Sequence, residues 1–328
     1  MPDGKPGRDV AVGIVGARGF TGRELLRLLS RHPRLHVAFV TSRELAGRAV
    51  KAESPGSDCE LSFEHLSPAD CASREVDAYV LALPNDASDA YMREIEAKRP
   101  GAVVVDLSAD HRFDDAWVYG QPERRRAAIS GSKRIANPGC YATAFQLAAE
   151  PLIPFVTGPF HGFGVSGYSG AGTTPSPRND PALLADSVLP YALVDHAHER
   201  EVSHQIGRSV CFVPHVAPFF RGLSVTVTAS LSHHAARPCT QDELVRAVRE
   251  RYNGERLVLL GDEIPTARTS RDRHEVRIGG LTVSRDGTHV AVVAALDNLL
   301  AGAATTAIRN LNLALHLPEL EGVAPWLD

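Results

Sequence analysis

Hydrophobic residues along the first third of this chain alternate between short continuous runs and helically spaced positions. The apolar run 10–15 predicts a strand that is buried on both faces, and the leucines of 23–29 recur at the spacing of an amphipathic helix. A second apolar run at 35–40 predicts the next strand. Further strands are expected at 78–83 and 102–107, with a helix at 91–97 between them. This alternation predicts an α/β fold with a doubly wound parallel sheet.

The pattern changes after about residue 155. Residues 158–180 are rich in Gly, Ser and Pro, which predicts a long functional loop. Residues 223–229 alternate as a half-buried strand does, 242–251 are helical in pattern, and strands are expected at 276–283 and 288–296. A final helix at 299–315 places its apolar residues on one face. The second half is therefore expected to be a mixed α+β domain.

Composition limits the class of protein. The chain has 328 residues, enough for two domains, and a net charge of −4 that gives no general footprint for nucleic acid or an acidic membrane. Its five cysteines are widely spaced and odd in number, which fits a reducing compartment, so we expect a cytoplasmic protein. The first seven residues are polar and are expected to be disordered.

Three glycines mark the first turn between a strand and a helix. Gly16, Gly19 and Gly22 form a GxxGxxG pattern, in which backbone N–H groups can approach a pyrophosphate, as in Rossmann-type domains. A tight turn needed only for packing is the alternative. The second strand ends in Thr41-Ser42-Arg43, where an NAD site usually has an acid. A hydroxyl and a guanidinium suit a 2′-phosphate, so NADP is favoured over NAD, unless Arg43 is only a surface residue.

Cys140 is the strongest candidate for chemistry. It follows Asn137-Pro138-Gly139, between a predicted strand at 133–136 and a predicted helix at 142–149. A thiol at a helix N-terminus is favoured as the reactive thiolate, and free backbone donors there can steady an oxyanion. A small buried hydrophobic residue is the alternative reading.

Ten sequence runs then occur in one order along nearly the whole chain. They are Gly16 to Gly22, Thr41-Ser42-Arg43, Leu81-Ala82-Leu83-Pro84, Asp106-Leu107-Ser108-Ala109-Asp110-His111-Arg112, Tyr119-Gly120-Gln121-Pro122-Glu123, Asn137 to Thr143, Ser166-Gly167-Tyr168-Ser169-Gly170-Ala171-Gly172, His196-Ala197-His198-Glu199, Pro214 to Gly222, and Asp297-Asn298-Leu299. Together they resemble the N-acetyl-γ-glutamyl-phosphate reductase family, which is related to aspartate-semialdehyde dehydrogenases. Val194-Asp195-His196 and the serine-glycine run resemble its fungal-type branch.

The resemblance implies a domain division and a reaction. Residues 1–139 with 298–328 would form the NADP-binding Rossmann domain, and 140–297 the catalytic and dimerisation domain. The implied reaction is NADPH-dependent reduction of N-acetyl-γ-glutamyl phosphate to N-acetylglutamate 5-semialdehyde in arginine biosynthesis. Cys140 would form a thioester that accepts a hydride, and His196 would transfer the proton, with His198 as its rival. A homodimer or homotetramer is expected, with a small molecule as the only other partner.

The resemblance also implies contacts for the cofactor and the substrate. For NADP(H) they are Gly16, Arg18, Gly19, Phe20, Thr21, Gly22, Ser42, Arg43, Leu83, Pro84, Ser169, Gly170 and Asn298. For the substrate they are Ser108, Arg112, His198, His215 and Arg221, because carboxylate and phosphate call for arginine. The run 164–172 is expected to be flexible and to close over the cofactor.

Departures from the family pattern and other readings stay open. Glu199-Arg200-Glu201 stands where the family usually has Thr-Pro-Glu after its histidine pair, and Ala301 stands where it often has lysine. A reductase of an aminoadipyl or aspartyl phosphate and a non-catalytic NADP-binding sensor are alternatives. Residues 195–199 also resemble a metal-ligand cluster, which would suit a hydrolase, but we expect no metal.

Overall fold

The computed structural model describes residues 9–232 and 239–324, so the polar segment 1–7 lies outside the described residues. The chain forms two compact units. One comprises Met1–Pro138 with Ala303–Asp328, and the other comprises Gly139–Gly302. No helix in the described part of the chain is long and apolar enough to cross a membrane.

Six parallel strands form the centre of the first unit. They are β1 (Val10–Val15), β2 (Leu35–Val40), β3 (Ala78–Leu81), β4 (Val103–Asp106), β5 (Val118–Tyr119) and β6 (Arg134–Ala136). The helices before residue 139 are α1 (Phe20–Leu29), α2 (Val50–Glu53), α3 (Pro68–Ser73), α4 (Ser88–Lys98) and α5 (Pro122–Ser130). The strand order is β2-β1-β3-β4-β6-β5 and every neighbouring pair is parallel. The predicted α/β parallel sheet is confirmed.

The central strands are short because they lie wholly within the core. All four residues of β3 and all four of β4 are buried. Strand β3 ends at Leu81 and β4 at Asp106, earlier than the predicted ends at 83 and 107. Two loops, which carry Leu83-Pro84 and Ser108, therefore begin at the carboxyl edge of the sheet, where α/β proteins bind ligands.

A seven-stranded mixed sheet forms the second unit. Its strands are β7 (Val156–Gly167), β8 (Leu189–Pro190), β9 (Val210–Ala217), β10 (Leu223–Leu231), β11 (Val258–Leu260), β12 (Val276–Val283) and β13 (His289–Leu296). Its helices are α6 (Cys140–Ala149), α7 (Pro181–Leu184), α8 (Ala197–Ile206), α9 (Gln241–Arg251) and α10 (Ala267–Ser270). The order is β11-β12-β13-β10-β7-β9-β8, with parallel and antiparallel pairs. The predicted mixed α+β domain is confirmed.

The long loop predicted at 158–180 is wrong for its first part. Residues up to Gly167 belong to β7, which lies between β10 and β9 inside the sheet. The glycines serve close packing: a Cβ on Gly162 would lie 2.1 Å from the Phe145 ring, and one on Gly164 would lie 2.6 Å from the Tyr141 ring. Glycine here makes room for the aromatic residues of α6, so the composition that suggested a loop reflects helix–sheet contact.

Helix α11 (Thr305–Ala314) returns the chain to the first unit after a π-helical turn at Leu300–Ala304. The predicted final helix is confirmed, but its burial extends beyond the apolar face, because all ten residues of α11 are buried, polar ones included. Arg309 pairs with Glu123 and with Glu319, both at 2.6 Å, and Asn310 donates to the Gly120 carbonyl at 2.9 Å. Neighbours on several sides provide these partners, which a helical pattern alone does not reveal.

We predict that Gly162→Ala destabilises the protein by about 1–3 kcal/mol, because the new methyl group overpacks the contact with Phe145. Urea unfolding followed by tryptophan fluorescence measures the loss. Gly261→Ala is the matched control, since nothing lies within 4 Å of its Cβ position. Equal stability of the two variants would contradict this packing role.

Candidate active site

The turn between β1 and α1 contains three glycines. Two of them have no room for a side chain, and the third faces open space. Gly16 has φ of 84°, and its N–H donates to Thr41 Oγ1 at 3.0 Å. A Cβ on Gly22 would lie 2.5 Å from Ala17 Cα, so this glycine is needed for packing. Nothing lies within 4 Å of a Cβ position at Gly19. The turn thus leaves its middle glycine open at the positive end of α1, which suits a pyrophosphate.

Four further predicted cofactor contacts flank this turn. Phe20 and Thr21 open α1, and Leu83 and Pro84 follow β3, the strand paired with β1. The Leu83 side chain would lie 2.9 Å from a Cβ on Gly16, while Pro84 is exposed. The structure therefore brings all four residues to the glycine turn.

The end of β2 is followed by one cation, Arg43, and one acid, Glu44. Ser42 is buried, and its hydroxyl accepts the N–H of Leu45 at 3.1 Å, so it shapes the turn. Arg43 is exposed beside it. Glu44 forms an ion pair with Arg18, another predicted cofactor contact. An NADP site is expected to have no acid after β2, but Glu44 stands one residue beyond Arg43. Its charge is already paired with that of Arg18.

Asp106 organises the loop after β4. Its fully buried carboxylate accepts from the Ser108 N–H at 3.0 Å, the Ser108 hydroxyl at 2.8 Å and the Ser88 hydroxyl at 3.0 Å. His111 Nδ1 lies 2.6 Å from the same carboxylate, and its ring stacks on Trp117 at 3.9 Å. Burial opposes a charge on His111, but the hydrogen bond and charge of Asp106 raise its pKa. Ser108 is therefore held in a defined position.

Arg112 closes the same loop from within the fold. It is buried, its Nε donates to the Asn137 carbonyl at 3.0 Å, and a terminal nitrogen donates to the Leu107 carbonyl at 3.1 Å. These contacts join the loop after β4 to the segment after β6. Arg112 thus has a structural task in addition to the substrate contact predicted for it.

Cys140 is the first residue of α6, and Gly139 is the N-cap. The predicted position of the thiol at a helix N-terminus is confirmed. Glu201 on α8 is buried and accepts the Gly139 N–H at 2.9 Å, while the Gly139 carbonyl accepts from Thr143 N–H at 2.8 Å. A Cβ on Gly302 would lie 2.6 Å from Cys140 Cβ, so this glycine leaves space for the nucleophile.

Both candidate histidines lie in an aromatic cluster that includes the residue next to Cys140. The rings of His196 and His198 are 4.8 Å apart, and His198 lies 5.9 Å from the Tyr141 ring. The His196 ring also contacts Tyr191 at 5.5 Å and Phe212 at 5.7 Å. The structure therefore brings both histidines to the ring of Tyr141, the residue that follows Cys140.

The hydrogen bonding of His196 defines its protonation. His196 is the N-cap of α8, and its Nδ1 accepts the His198 N–H at 3.1 Å, so its proton lies on Nε2. Burial, followed by the positive charge of Arg178, lowers the pKa of His196 to about 4. At neutral pH this side chain is a neutral imidazole with one N–H to donate.

The second group of predicted cofactor contacts is held rigidly. Asn298 donates to the Ser169 hydroxyl at 2.9 Å and accepts the Gly222 N–H at 2.8 Å, and it lies next to Gly170. Ser169 N–H also donates to the Phe220 carbonyl at 2.9 Å. The prediction that 164–172 is flexible is wrong for its first part, because residues to 167 are strand, and these bonds hold the turn that follows.

Arg221 and His215 differ from their predicted surroundings. Arg221 makes two bonds to the fully buried Asp297, at 2.7 and 2.9 Å, and a third to Asp272 at 3.2 Å. His215 alternates with the buried positions of β9 and packs against Phe163 at 4.1 Å, on the sheet face away from α6. The structure does not bring the His215 ring to the Cys140 cluster, since its place on the strand points it to the opposite face.

Two side chains of the possible metal site at 195–199 are already hydrogen-bonded within the protein. His196 Nδ1 accepts the His198 N–H, and the Glu199 carboxylate accepts the Phe212 N–H at 2.8 Å. Within residues 9–232 and 239–324, no group of three or more His, Cys, Asp or Glu side chains is arranged to hold a metal ion.

Sequence reasoning missed three residues of this site. Glu201 holds the turn before the nucleophile, Tyr191 contacts His196, and Arg178 lies over the Tyr191 ring at 5.0 Å. The only available signal for Glu201 was its short spacing from the histidine pair, with which it shares the start of α8. Arg178 and Tyr191 lie in irregular segments, where no periodicity indicates a neighbour.

Comparison with known proteins identifies the family. A family model described as semialdehyde dehydrogenase, NAD binding domain, matches residues 11–132, and one described as semialdehyde dehydrogenase, dimerisation domain, matches 140–298. A protein of Xanthomonas euvesicatoria pv. vesicatoria named N-acetyl-gamma-glutamyl-phosphate reductase is 50% identical over 95% of this chain and 98% of its own length. The chain belongs to the N-acetyl-gamma-glutamyl-phosphate reductase family. It is accordingly an oxidoreductase that uses NADP(H).

Other members and solved structures agree with this placement. Family members of the same name from Stenotrophomonas maltophilia and Xylella fastidiosa are 50% and 49% identical, each over 95% of this chain and over 97% and 94% of their own lengths. Aspartate semialdehyde dehydrogenase II of Vibrio cholerae superimposes with a TM-score of 0.74 over 94% of this chain and 99% of its own, at 18% identity. The Candida albicans enzyme, solved with NADP, gives 0.69 at 17% identity over 93% and 98%. These two structures support the fold alone.

We predict that Glu201→Ala lowers the free energy of unfolding by about 1–3 kcal/mol, because the buried Gly139 N–H loses its acceptor. Glu201→Gln keeps an acceptor oxygen, so its loss is expected to be smaller. Urea denaturation measures both, with Glu250→Ala, exposed on α9, as the control. If the alanine variant were as stable as the control, this hydrogen bond would not support the start of α6.

Proposed function

We propose that this chain reduces N-acetyl-γ-glutamyl phosphate to N-acetylglutamate 5-semialdehyde, with release of inorganic phosphate, in arginine biosynthesis. The observation that carries the proposal is Cys140 at the first position of the buried helix α6, whose next residue, Tyr141, contacts the histidine pair His196 and His198. The names of the bacterial relatives support the substrate. We also propose that 1–139 with 298–328 serve NADP binding and that 140–297 serve catalysis.

Cys140 supplies the nucleophile. Its thiolate attacks the acyl carbon, a carbon–sulfur bond forms, and the carbon–oxygen bond to phosphate breaks with its electron pair leaving on phosphate. First-turn N–H groups and the helix dipole of α6 favour both the thiolate and the oxyanion of the tetrahedral intermediate. NADPH, when bound, would supply the hydride that adds to the thioester carbon, and a proton from solvent would add to its oxygen to give a thiohemiacetal.

His196 is proposed to stabilise the oxygen that becomes negative. Its Nε2 carries the proton because Nδ1 accepts the His198 N–H. A neutral imidazole donates a hydrogen bond without a prior protonation step, which is useful when a charge develops only in the transition state. When the carbon–sulfur bond breaks, the hydroxyl proton must leave, and His198, in ring contact with His196, is the rival group for that transfer.

Two groups of residues are proposed to hold the cofactor. In the first unit they are Gly16, Arg18, Gly19, Phe20, Thr21, Gly22, Ser42, Arg43, Leu83 and Pro84. In the second they are Ser169, Gly170 and Asn298. The open Cβ position at Gly19 supports the pyrophosphate site, since a backbone without a side chain permits close approach.

Ser108, Arg112, Arg221 and His198 are proposed as substrate contacts. Ser108 is already aligned by Asp106, so it can offer a hydroxyl without further ordering. Arg221 is held by Asp297, which fixes the direction of its guanidinium. His215 is left out because its ring lies on the other sheet face.

We further propose a cytoplasmic homodimer, with a homotetramer as a higher assembly. A catalytic thiol must stay reduced, which the cytoplasm provides. The sheet face of the second unit opposite α6 carries Phe163, whose side chain is 48% exposed, beside His215. An apolar sheet face of this kind favours association with a second copy, and the dimerisation-domain match over 140–298 supports it.

The decisive assay follows NADP reduction that depends on phosphate and N-acetylglutamate semialdehyde. We expect Cys140→Ala to abolish turnover while NADPH still binds, because the covalent step is lost and the cofactor contacts remain. Cys211→Ala, at an exposed thiol, is the control and should stay active. Turnover by Cys140→Ala would rule out the thioester. The same assay with semialdehydes that are one carbon longer or lack the acetyl group tests whether a related acyl phosphate is the preferred substrate.

We predict that Arg43→Ala weakens NADPH binding by about tenfold to a hundredfold, the worth of a charge-assisted hydrogen bond, and leaves NADH binding nearly unchanged. Fluorescence titration measures both affinities. Arg48→Ala, at an exposed ion pair in the same unit, is the control. An equal loss for the two nucleotides would remove Arg43 from the 2′-phosphate site.

A further inference from the structure

Arg178 lies on a well-defined turn in the second unit. The turn is a single 3₁₀ segment, Pro177–Asn179, capped by Ser176. The Asn179 amide donates to the carbonyls of Gly172 and Thr174 at 2.9 and 2.8 Å, which ties the turn to the chain before it. The position of Arg178 is therefore set by backbone contacts, while its side chain stays exposed.

Tyr191 connects Arg178 to the catalytic cluster. The guanidinium carbon of Arg178 lies 5.0 Å from the centre of the Tyr191 ring, and that ring lies 5.5 Å from His196. Burial and then the negative charge of Cys140 raise the pKa of Tyr191 to about 12, and the charge of Arg178 opposes this rise. Arg178 also acts on the pKa of His196. The cation therefore lies beside the Tyr191 ring, which is itself in contact with His196.

The charge of Arg178 is not neutralised within the protein. In the part of the chain that the structure describes, Arg178 forms no ion pair with a carboxylate, whereas the guanidinium of Arg221 is bound by two aspartates. An arginine that lies over a ring of the candidate catalytic cluster and pairs with no carboxylate suits an external anion. Arginine offers two parallel donors to carboxylate or phosphate oxygens.

We propose that Arg178 binds an anionic oxygen group of the acyl-phosphate substrate beside Cys140. The inference rests on the proposed function and adds a substrate contact that no sequence motif indicated. Two groups of that substrate share this chemistry: the phosphate on the reacting carbon and the carboxylate at the other end of the chain. Kinetics in the reverse direction separate them, because phosphate and semialdehyde are then different substrates.

The experiment measures three KM values for wild type, Arg178→Ala and Arg178→Lys, with NADP, phosphate and N-acetylglutamate semialdehyde. Arg178→Ala should raise one KM by about tenfold to a hundredfold. A rise for phosphate assigns the phosphate group, and a rise for semialdehyde assigns the carboxylate. Lysine keeps the charge but loses the fork, so its effect should be intermediate. Arg249→Ala, at an exposed pair on α9, is the control.

Outcomes that overturn the proposal are equally definite. Unchanged KM values for phosphate and semialdehyde, or a rise for NADP alone, would show that Arg178 binds no substrate anion. A second readout needs no turnover: inorganic phosphate or N-acetylglutamate should slow alkylation of Cys140 by iodoacetamide in wild type and not in Arg178→Ala. If wild type showed no phosphate-dependent NADP reduction, the proposed function would fail, and the alkylation rates would still decide whether Arg178 binds an anion.

Discussion

The buried start of helix α6 is the constraint on which the second unit depends. A helix N-terminus has N–H groups without intrahelical acceptors, and burying them requires partners. Glu201 accepts the Gly139 N–H, and the Gly139 carbonyl accepts from Thr143, so the turn has one conformation. Cys140 follows Gly139 directly, so its position is fixed and it lies in the positive field at the start of α6. Structural and chemical requirements coincide at this one turn.

Packing of α6 against the sheet explains why β7 is rich in glycine. Tyr141 and Phe145 extend from the helix into space that side chains at Gly162 and Gly164 would fill. Their rings continue through Phe212 to His196, at centroid distances of 5.0 and 5.7 Å. The same apolar surroundings that hold the helix also desolvate His196, and this burial keeps its imidazole neutral. Core packing thereby selects the protonation state of a candidate catalytic group.

Each unit fixes a functional loop by the same device, a fully buried aspartate where a strand ends. Asp106 ends β4 and binds the backbone and hydroxyl of Ser108. Asp297 follows β13 and binds the guanidinium of Arg221 and the N–H groups of Leu299 and Leu300. A buried carboxylate with several donors is costly to disturb, since each lost partner leaves a charge poorly solvated. Loops that must present polar groups in a defined direction gain rigidity in this way.

The sequence by itself determined the parallel sheet, the glycine turn and the helix that begins at Cys140, because strand runs, helical spacing and turn residues are local signals. Only the tertiary structure decided that Gly162 and Gly164 lie in a strand, that α11 is buried on all sides, that the His215 ring lies on the sheet face away from α6 and that Arg178 lies over the Tyr191 ring. These outcomes depend on which side chains meet across the fold. Residues distant along the chain make such contacts, and a local pattern carries no record of them.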